Sequence, residues 1–287
     1  VNPELPLLAG MGAGARHEDD GLSYMPMPQE MNTFNAPLLP ESEILEQHPQ
    51  VLRYLEHVQI ALECWPSNPQ QAPLVLDDLP EVAVRLIQQI LGEGEVSIQL
   101  QGPQPARIQE TLLAGLWWVQ QLDPEGHPIQ QWLEVADIPA LVSEHSFAGA
   151  RWPLVTDLPE GLVNAGPVLI ELLEAADRQQ TQSCNAGLHD EPHVVNLSLL
   201  PFSPPDHQFL AQYLGIGPAL ILSRGYGNCR IQSTATPGIW RVQYFNSGDQ
   251  LILDTLEVTS MPQVACAATE DLADSAERLR EMREVLL

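Results

Sequence analysis

The run from Ser223 to Ile231, SRGYGNCRI, puts two glycines, a phenol, an amide and a thiol side by side and is the sharpest local feature of the sequence. Its glycines lie between two stretches of strand-like alternation. A phosphate or dinucleotide loop needs them between a strand and a helix N-terminus, so this is a turn and not a nucleotide cradle. Arg230 beside Cys229 is a neighbour of the kind that lowers a thiol pKa, yet no histidine is near in sequence to take the proton. No serine stands in a G-x-S-x-G elbow. His189, Asp190, Glu191 and His193, with Cys184 upstream, offer metal donors by residue type. Pro192 breaks any helical spacing among them and no fixed zinc pattern is met. Cys184, His189 and His193 are metal candidates on composition alone.

The turn belongs to a stretch that occurs twice. Residues 214–262 lie without a gap on residues 91–139 at an offset of 123, with 18 identities over 49 positions. The matches include Gly102/Gly225, Arg107/Arg230, Gly115/Gly238, Trp117/Trp240, Gln120/Gln243 and Glu134/Glu257. A register held that long predicts one unit built twice, and repeated units commonly meet about an approximate two-fold axis, as subunits of a homodimer do. Repeated positions read as framework. Arg107, Arg230, Glu134 and Glu257 are expected to be ion-pair or hydrogen-bond partners, because a buried charge needs a mate. Trp117 and Trp240 mark either the core of each unit or the seam between them. Unrepeated polar positions are where function is added. On that logic Tyr226, Asn228, Cys229, Tyr244, Asn246 and Asp254 are the candidates for contact with a partner or cluster.

The elements that must position these residues follow from periodicity. Residues 1–40 have no sustained period and read as an irregular arm, packed on its own domain or waiting for a partner through Tyr24, Met25, Met27, Met31 and Phe34. From His48 a helical stripe (Val51, Leu52, Leu55, Val58, Leu62) begins, with Pro49 placed to open it and Pro66 to end it. A short strand at 74–76 and a helix over 80–91 follow. The period then falls to two for four successive strands, with turns at Gly102-Pro103, Ala114-Gly115 and 123–126. The order recurs: a helix over 167–176, a strand at 194–200 matched to 74–76 at the offset of 123, a helix over 206–214, four more strands, and an amphipathic helix over 269–286. The predicted fold is α+β, two tandem copies of a helix and antiparallel-sheet unit with helices covering one face. The units span 41–142 and 163–287, joined at 143–162.

Composition narrows the function. The chain has 287 residues, 44% of them hydrophobic, and 38 acidic against 12 basic residues for a formal charge of -26. Such a field repels nucleic acid and anionic lipid and favours a cationic partner. No apolar run is long enough to span a membrane, and no basic-then-apolar leader opens the sequence, so the expected location is the cytoplasm. The four cysteines, Cys64, Cys184, Cys229 and Cys266, are too scattered for a disulfide framework.

Longer motifs carry a resemblance. GYGNC at 225–229, the Asn246-Ser247 pair, LDTLE at 253–257, NLSLLPFSPPDHQFLAQYLGIGP at 196–218, and in the first half YMPMPQEM at 24–31, LGEGEVS at 91–97 and IQETLLAGLWWVQ at 108–120 are similar to the HupH/HyaF hydrogenase expression and formation proteins. The resemblance covers nearly the whole chain. It implies a non-catalytic chaperone or scaffold in NiFe-hydrogenase maturation. Its partner would be the iron-sulfur small subunit precursor before export, held alongside thioredoxin-like and rubredoxin-like maturation proteins. The negative field further suggests the precursor's twin-arginine leader as a contact. The resemblance supplies no catalytic residues and no cofactor. Two alternatives stay open: a metal or iron-sulfur cluster handling protein using Cys229 and nearby polar residues, and an enzyme modifying client cysteines.

Overall fold

A computed structural model describes residues 39–155, 158–183, 191–224 and 227–286. Ten strands, β1 (Leu74–Val75), β2 (Val96–Leu100), β3 (Ala106–Glu110), β4 (Leu116–Leu122), β5 (Pro128–Val135), β6 (His193–Asn196), β7 (Ala219–Ser223), β8 (Asn228–Ser233), β9 (Ile239–Phe245) and β10 (Leu251–Val258), form one sheet. Every pairing is antiparallel, in the order β1-β5-β4-β3-β2-β7-β8-β9-β10-β6. The mixed helix and antiparallel-sheet class is as expected. That the two meanders fuse edge to edge was not: β2 pairs β7, with Ile98 opposite Ile221. The seam is this strand pair. Trp117 and Trp240 are fully buried core residues.

Each meander strand has two unlike faces, which is what its period of two dictates. On one face Ile98, Ile108, Trp117, Ile221, Ile231 and Trp240 share a core running across the seam. It is roofed by irregular chain and the short helix α4 (Ala140–His145), which straddles the expected boundary between the first unit and the junction. The other face carries two separate helical layers. Over the first four meander strands lie α2 (Pro49–Cys64), α3 (Glu81–Leu91) and α7 (Thr269–Leu286), preceded in the chain by the short α1 (Ser42–Glu46). Over the last four lie α5 (Ala165–Ser183) and α6 (Pro204–Leu214). Helices thus crowd one face, as anticipated, while loops close the other.

Local chemistry explains the helices. Pro49 opens α2, with the missing N–H costing nothing in the first turn. The helix α3 ends where Gly92 takes φ 60°, and α6 ends where Gly215 takes φ 62°, a left-handed conformation glycine accepts without strain. Ser203 and Asp206 form a capping box at the start of α6. By contrast Pro80, before α3, makes no side-chain cap.

The ends of the two meanders cross over. After β5 the chain runs to the other half, where the Arg151 N–H donates to Ala235 O at 2.8 Å and Phe147 meets Trp240 edge-on at 5.1 Å. After β10 it returns: Ala267 N–H donates to Asp137 O at 2.9 Å, and α7 lies on α2, with Gln59 Nε2 donating to Ala276 O at 2.9 Å. The expected match of the 194–200 strand to 74–76 at an offset of 123 is corrected. Leu74 sits opposite Leu133, whereas Val195 sits opposite Leu256, which sets the offset there at 121. The connections after these edge strands differ in length, residues 76–80 against 197–203, and that difference of two residues sets the edge strand's own register. Among the described residues no helix is long and apolar enough to cross a membrane.

Candidate functional site

The unrepeated polar residues gather at one end of the C-terminal meander, and the hairpins put them there. Cys229 and Tyr244 are a cross-strand pair on β8 and β9, and Asn228 faces Phe245. Asn246 opens the β9–β10 turn. Its side-chain oxygen accepts the Gly248 N–H at 2.9 Å and the Gln250 N–H at 3.0 Å. This self-bonded turn holds Asp249 at φ 56°, a conformation that Asp tolerates better than most residues. Asn228 Nδ2 reaches Asp249 Oδ1 at 3.4 Å, tying the β8 end to the neighbouring turn. Together Gly227, Asn228, Asp249 and Gln250 make an exposed or half-exposed polar rim. Tyr226 of the same candidate set lies outside the described residues, as do Cys184 and His189.

Beneath the rim the chemistry changes. Cys229 is 2% exposed. Burial pushes its thiol up to about 12, the bond to the Tyr244 hydroxyl only partly opposing this, and nearby Glu257 adds to it. The Tyr244 hydroxyl is raised to about 12 by burial and by Cys229 and Glu257. Glu257 is itself raised by burial, while the Thr255 hydroxyl, donating to its Oε1 at 3.0 Å, pulls the other way. The thiol and the phenol therefore keep their protons at neutral pH. The thiolate that nucleophilic attack or metal binding requires is disfavoured here by burial. Cys266 is likewise raised to about 11 by burial and by Asp137.

Asp254 does not join this group. It lies on the opposite sheet face, 4% exposed, where the Arg241 Nε donates to its Oδ1 at 2.9 Å and Nη2 to its Oδ2 at 2.5 Å. Its backbone N–H donates to Ser198 Oγ at 2.9 Å, so it anchors the edge next to β6. The repeated arginines and glutamates do not face one another, for a reason of parity. Arg107 stands opposite Gln120 and Gln120 opposite Gln131, on the helical face, while Glu134 stands opposite Trp117 on the other. Glu134 instead accepts the Ala140 N–H at 2.7 Å and the Trp132 indole N–H at 3.3 Å. Likewise Arg230 is opposite Gln243 on the helical face, and Glu257 opposite Trp240 on the other. His193 Nε2 donates to Glu171 Oε1 at 2.9 Å. Among the described residues no group of three metal-donor side chains comes together.

Sequence reading missed two participants. Asp249 was legible as part of the N-S-G-D turn. Asp206 was legible as the fourth residue of an S-x-x-D cap, and it does more than cap: Oδ1 also accepts the N–H groups of Val163, Asn164 and Ala165 at 2.9, 3.1 and 2.9 Å. One buried carboxylate thereby ties the starts of α5 and α6 together.

The arrangement offers an exposed, pre-shaped polar rim over an inert buried layer, suited to holding a surface. The conserved region described as "HupH hydrogenase expression protein, C-terminal conserved region" matches this chain twice, over residues 33–146 and 162–286. The chain is 60% identical over 278 residues, 96% of each chain, to "Hydrogenase expression/formation protein HupQ" of Azotobacter chroococcum mcd 1. It is 56% identical over 287 residues, the full length of both, to "Hydrogenase expression/formation protein HoxQ" of Azotobacter vinelandii. To "Hydrogenase-1 operon protein HyaF" of Escherichia coli (strain K12) it is 31% identical, over 95% of this chain and 94% of that one. A solved structure, "Hydrogenase expression protein HupH from Thiobacillus denitrificans ATCC 25259", aligns at TM-score 0.37 with 25% identity, covering 41% of this chain and 92% of that one.

Proposed function

Because the chain belongs to the HupH family of hydrogenase expression proteins, we propose that it is a hydrogenase maturation factor that binds a client and does no covalent chemistry on it. The client is the iron-sulfur small subunit precursor, met in the cytoplasm before export, in company with thioredoxin-like and rubredoxin-like maturation proteins. The observation that carries the binding reading is the state of the candidate site: its polar rim is exposed while its one thiol is buried and raised to about 12. A metal-thiolate or a cysteine-modifying reaction through Cys229 would first have to remove that proton inside the fold, which disfavours both alternatives.

The net charge of -26 supports a cationic contact on the client, and a twin-arginine leader fits that chemistry. Guanidinium groups meeting carboxylates form directed, charge-assisted bonds, and a field of this strength raises the association rate more than the final affinity. We also infer that the framework arose by duplication and sits about an approximate two-fold axis. What supports this is the seam, where Ile98 faces Ile221, its own counterpart at the offset of 123, and Leu100 faces Ala219 while Val96 faces Ser223.

The test is capture of the tagged protein from anaerobic cells with and without the small subunit precursor, followed by binding kinetics. The precursor should co-purify, and its association rate should fall by an order of magnitude or more between about 50 mM and about 500 mM salt when the leader is present. Failure to capture the precursor removes the proposed client. An association rate indifferent to both salt and leader removes the electrostatic contact while leaving the client in place.

A further inference from the structure

A cavity of about 240 Å³ opens on the helical face of the sheet, at the C-terminal end of α3, and it lies in the other half of the molecule from the polar rim. Its floor is a cross-strand row: Gln99 on β2 faces Arg107 on β3, which faces Gln120 on β4. Gln88 and Glu93 line it from the helix side, and Trp118 from β4. Arg107 is exposed and makes no ion pair among the described residues. Trp118 is 7% exposed, and its indole N–H has no acceptor among the described residues. A buried donor left unpaired is costly and uncommon.

The counterpart positions 123 residues on are built differently. Arg230 and Gln243 are kept, but Gln88, Glu93 and Gln99 become Ala211, Ile216 and Leu222. Trp118 becomes Arg241, already committed to Asp254 by two hydrogen bonds. The polar lining of the cavity is therefore only partly repeated across the seam. The framework does not require Gln88, Glu93 and Gln99, since the same strand pairing stands with Ala211, Ile216 and Leu222 in their places.

We propose that this cavity binds a carboxylate, with the Arg107 guanidinium as its anchor, the Gln99 and Gln120 amides as flanking donors and Trp118 as its wall. A planar guanidinium matches a carboxylate through two parallel N–H bonds, which a point charge cannot do. The volume lies just below the range usual for small-molecule pockets, so the ligand is a short acid or the last residue or two of a peptide. Glu93 at the mouth disfavours dianions. This site goes beyond the client reading and does not depend on it.

The experiment is a titration of the full-length ¹⁵N-labelled protein with acetyl-glycyl-glycine, its amide-capped form, and acetate, following the tryptophan indole resonances. Trp118→Phe assigns its own signal. The Trp118 signal should move with acetyl-glycyl-glycine and stay still with the capped peptide. The Trp117 signal should not respond, because that N–H already donates to Ala136 O at 2.9 Å on the opposite face. Arg107→Gln should weaken binding about tenfold or more, and Arg107→Lys by less. Acetate matching the peptide identifies free small acids as the source, and a response to the peptide alone identifies a chain terminus. A Trp118 signal unmoved at about 10 mM ligand, a response surviving Arg107→Gln, or an equal response to the capped peptide overturns the proposal.

Discussion

Trp117 and Trp240 occupy matching places on β4 and β9, and both are fully buried in the core that runs across the seam. The Trp117 indole N–H donates to Ala136 O at 2.9 Å. The Trp240 N–H has no acceptor among the described residues, and the edge of Phe147, from the chain leaving β5, packs on that ring instead. The same residue in the same register is thus completed by a hydrogen bond on one side and by an aromatic contact on the other. Repetition specifies the slot, while the crossing segments decide how each slot is filled.

The starts of α3 and α6 give the sharpest version of that contrast. At the position of Asp206 the first helix has Ala83, and both are 0% exposed. Burial alone would raise the Asp206 carboxyl, but the Ser203 hydroxyl and the N–H groups of Ala165, Ser203 and Val163 hold it well below its ordinary range. Asp206→Ala strands those donors and should cost about 3 kcal/mol in urea unfolding. A cost under about 1 kcal/mol would show that α6 is seated by packing alone, like α3. A carboxyl held low stabilises the fold above its unfolded value of about 4, and that stabilisation is lost as pH falls further.

Glu110 and Ser233 differ in the opposite sense. Glu110 is 8% exposed, and burial raises it to about 7, with the Gly115 N–H bond to its Oε1 only partly opposing this. Ser233 at the matching position stays neutral and accepts the Ala219 N–H at 2.9 Å. Because the folded protein holds the Glu110 proton more tightly than the unfolded chain, stability should decline as pH rises from about 4.3 to about 7, by roughly 2 to 3 kcal/mol. Thermal melts across that window should show the decline, and Glu110→Gln should flatten it. A variant with an unaltered pH slope would break the assignment.

The tryptophan pair predicts a smaller difference. Trp117→Phe leaves the Ala136 carbonyl without its donor, while Trp240→Phe removes an N–H that has no protein acceptor here. Both lose packing, so Trp117→Phe should be the more damaging by about 1 kcal/mol. Equal losses in urea unfolding would mean that the hydrogen bond adds nothing to the slot. The smallest effect expected is on reactivity. At pH 8 the exposed Cys64 should react promptly with an aromatic disulfide, and Cys229 only on unfolding. Prompt labelling of Cys229 would reopen thiol chemistry at the rim.

Much of this was legible beforehand. The period-two strands and the apolar stripes of α2, α3 and α7 are local properties, and local propensity agrees with the final elements. The repeat identified which positions are shared. The helix Ala140–His145, across the expected boundary at 142/143, was not legible, because a helix of six residues is too short to display its period. The partners of Arg107 and Glu134 were not legible, because sequence alignment says which residues correspond, and only strand register says which face they share.

What the amino-acid order determined by itself was therefore the set of elements, the doubled meander and the strongly negative charge, all of which depend on neighbours a few residues apart. The tertiary structure alone decided that the two meanders join through β2 and β7, that their tails exchange sides, that Cys229 lies under the rim and not on it, and that Gln99, Arg107 and Gln120 share a cavity floor. Those outcomes depend on cross-strand register and on burial. Both arise between residues far apart in the chain, where no spacing in the sequence records them.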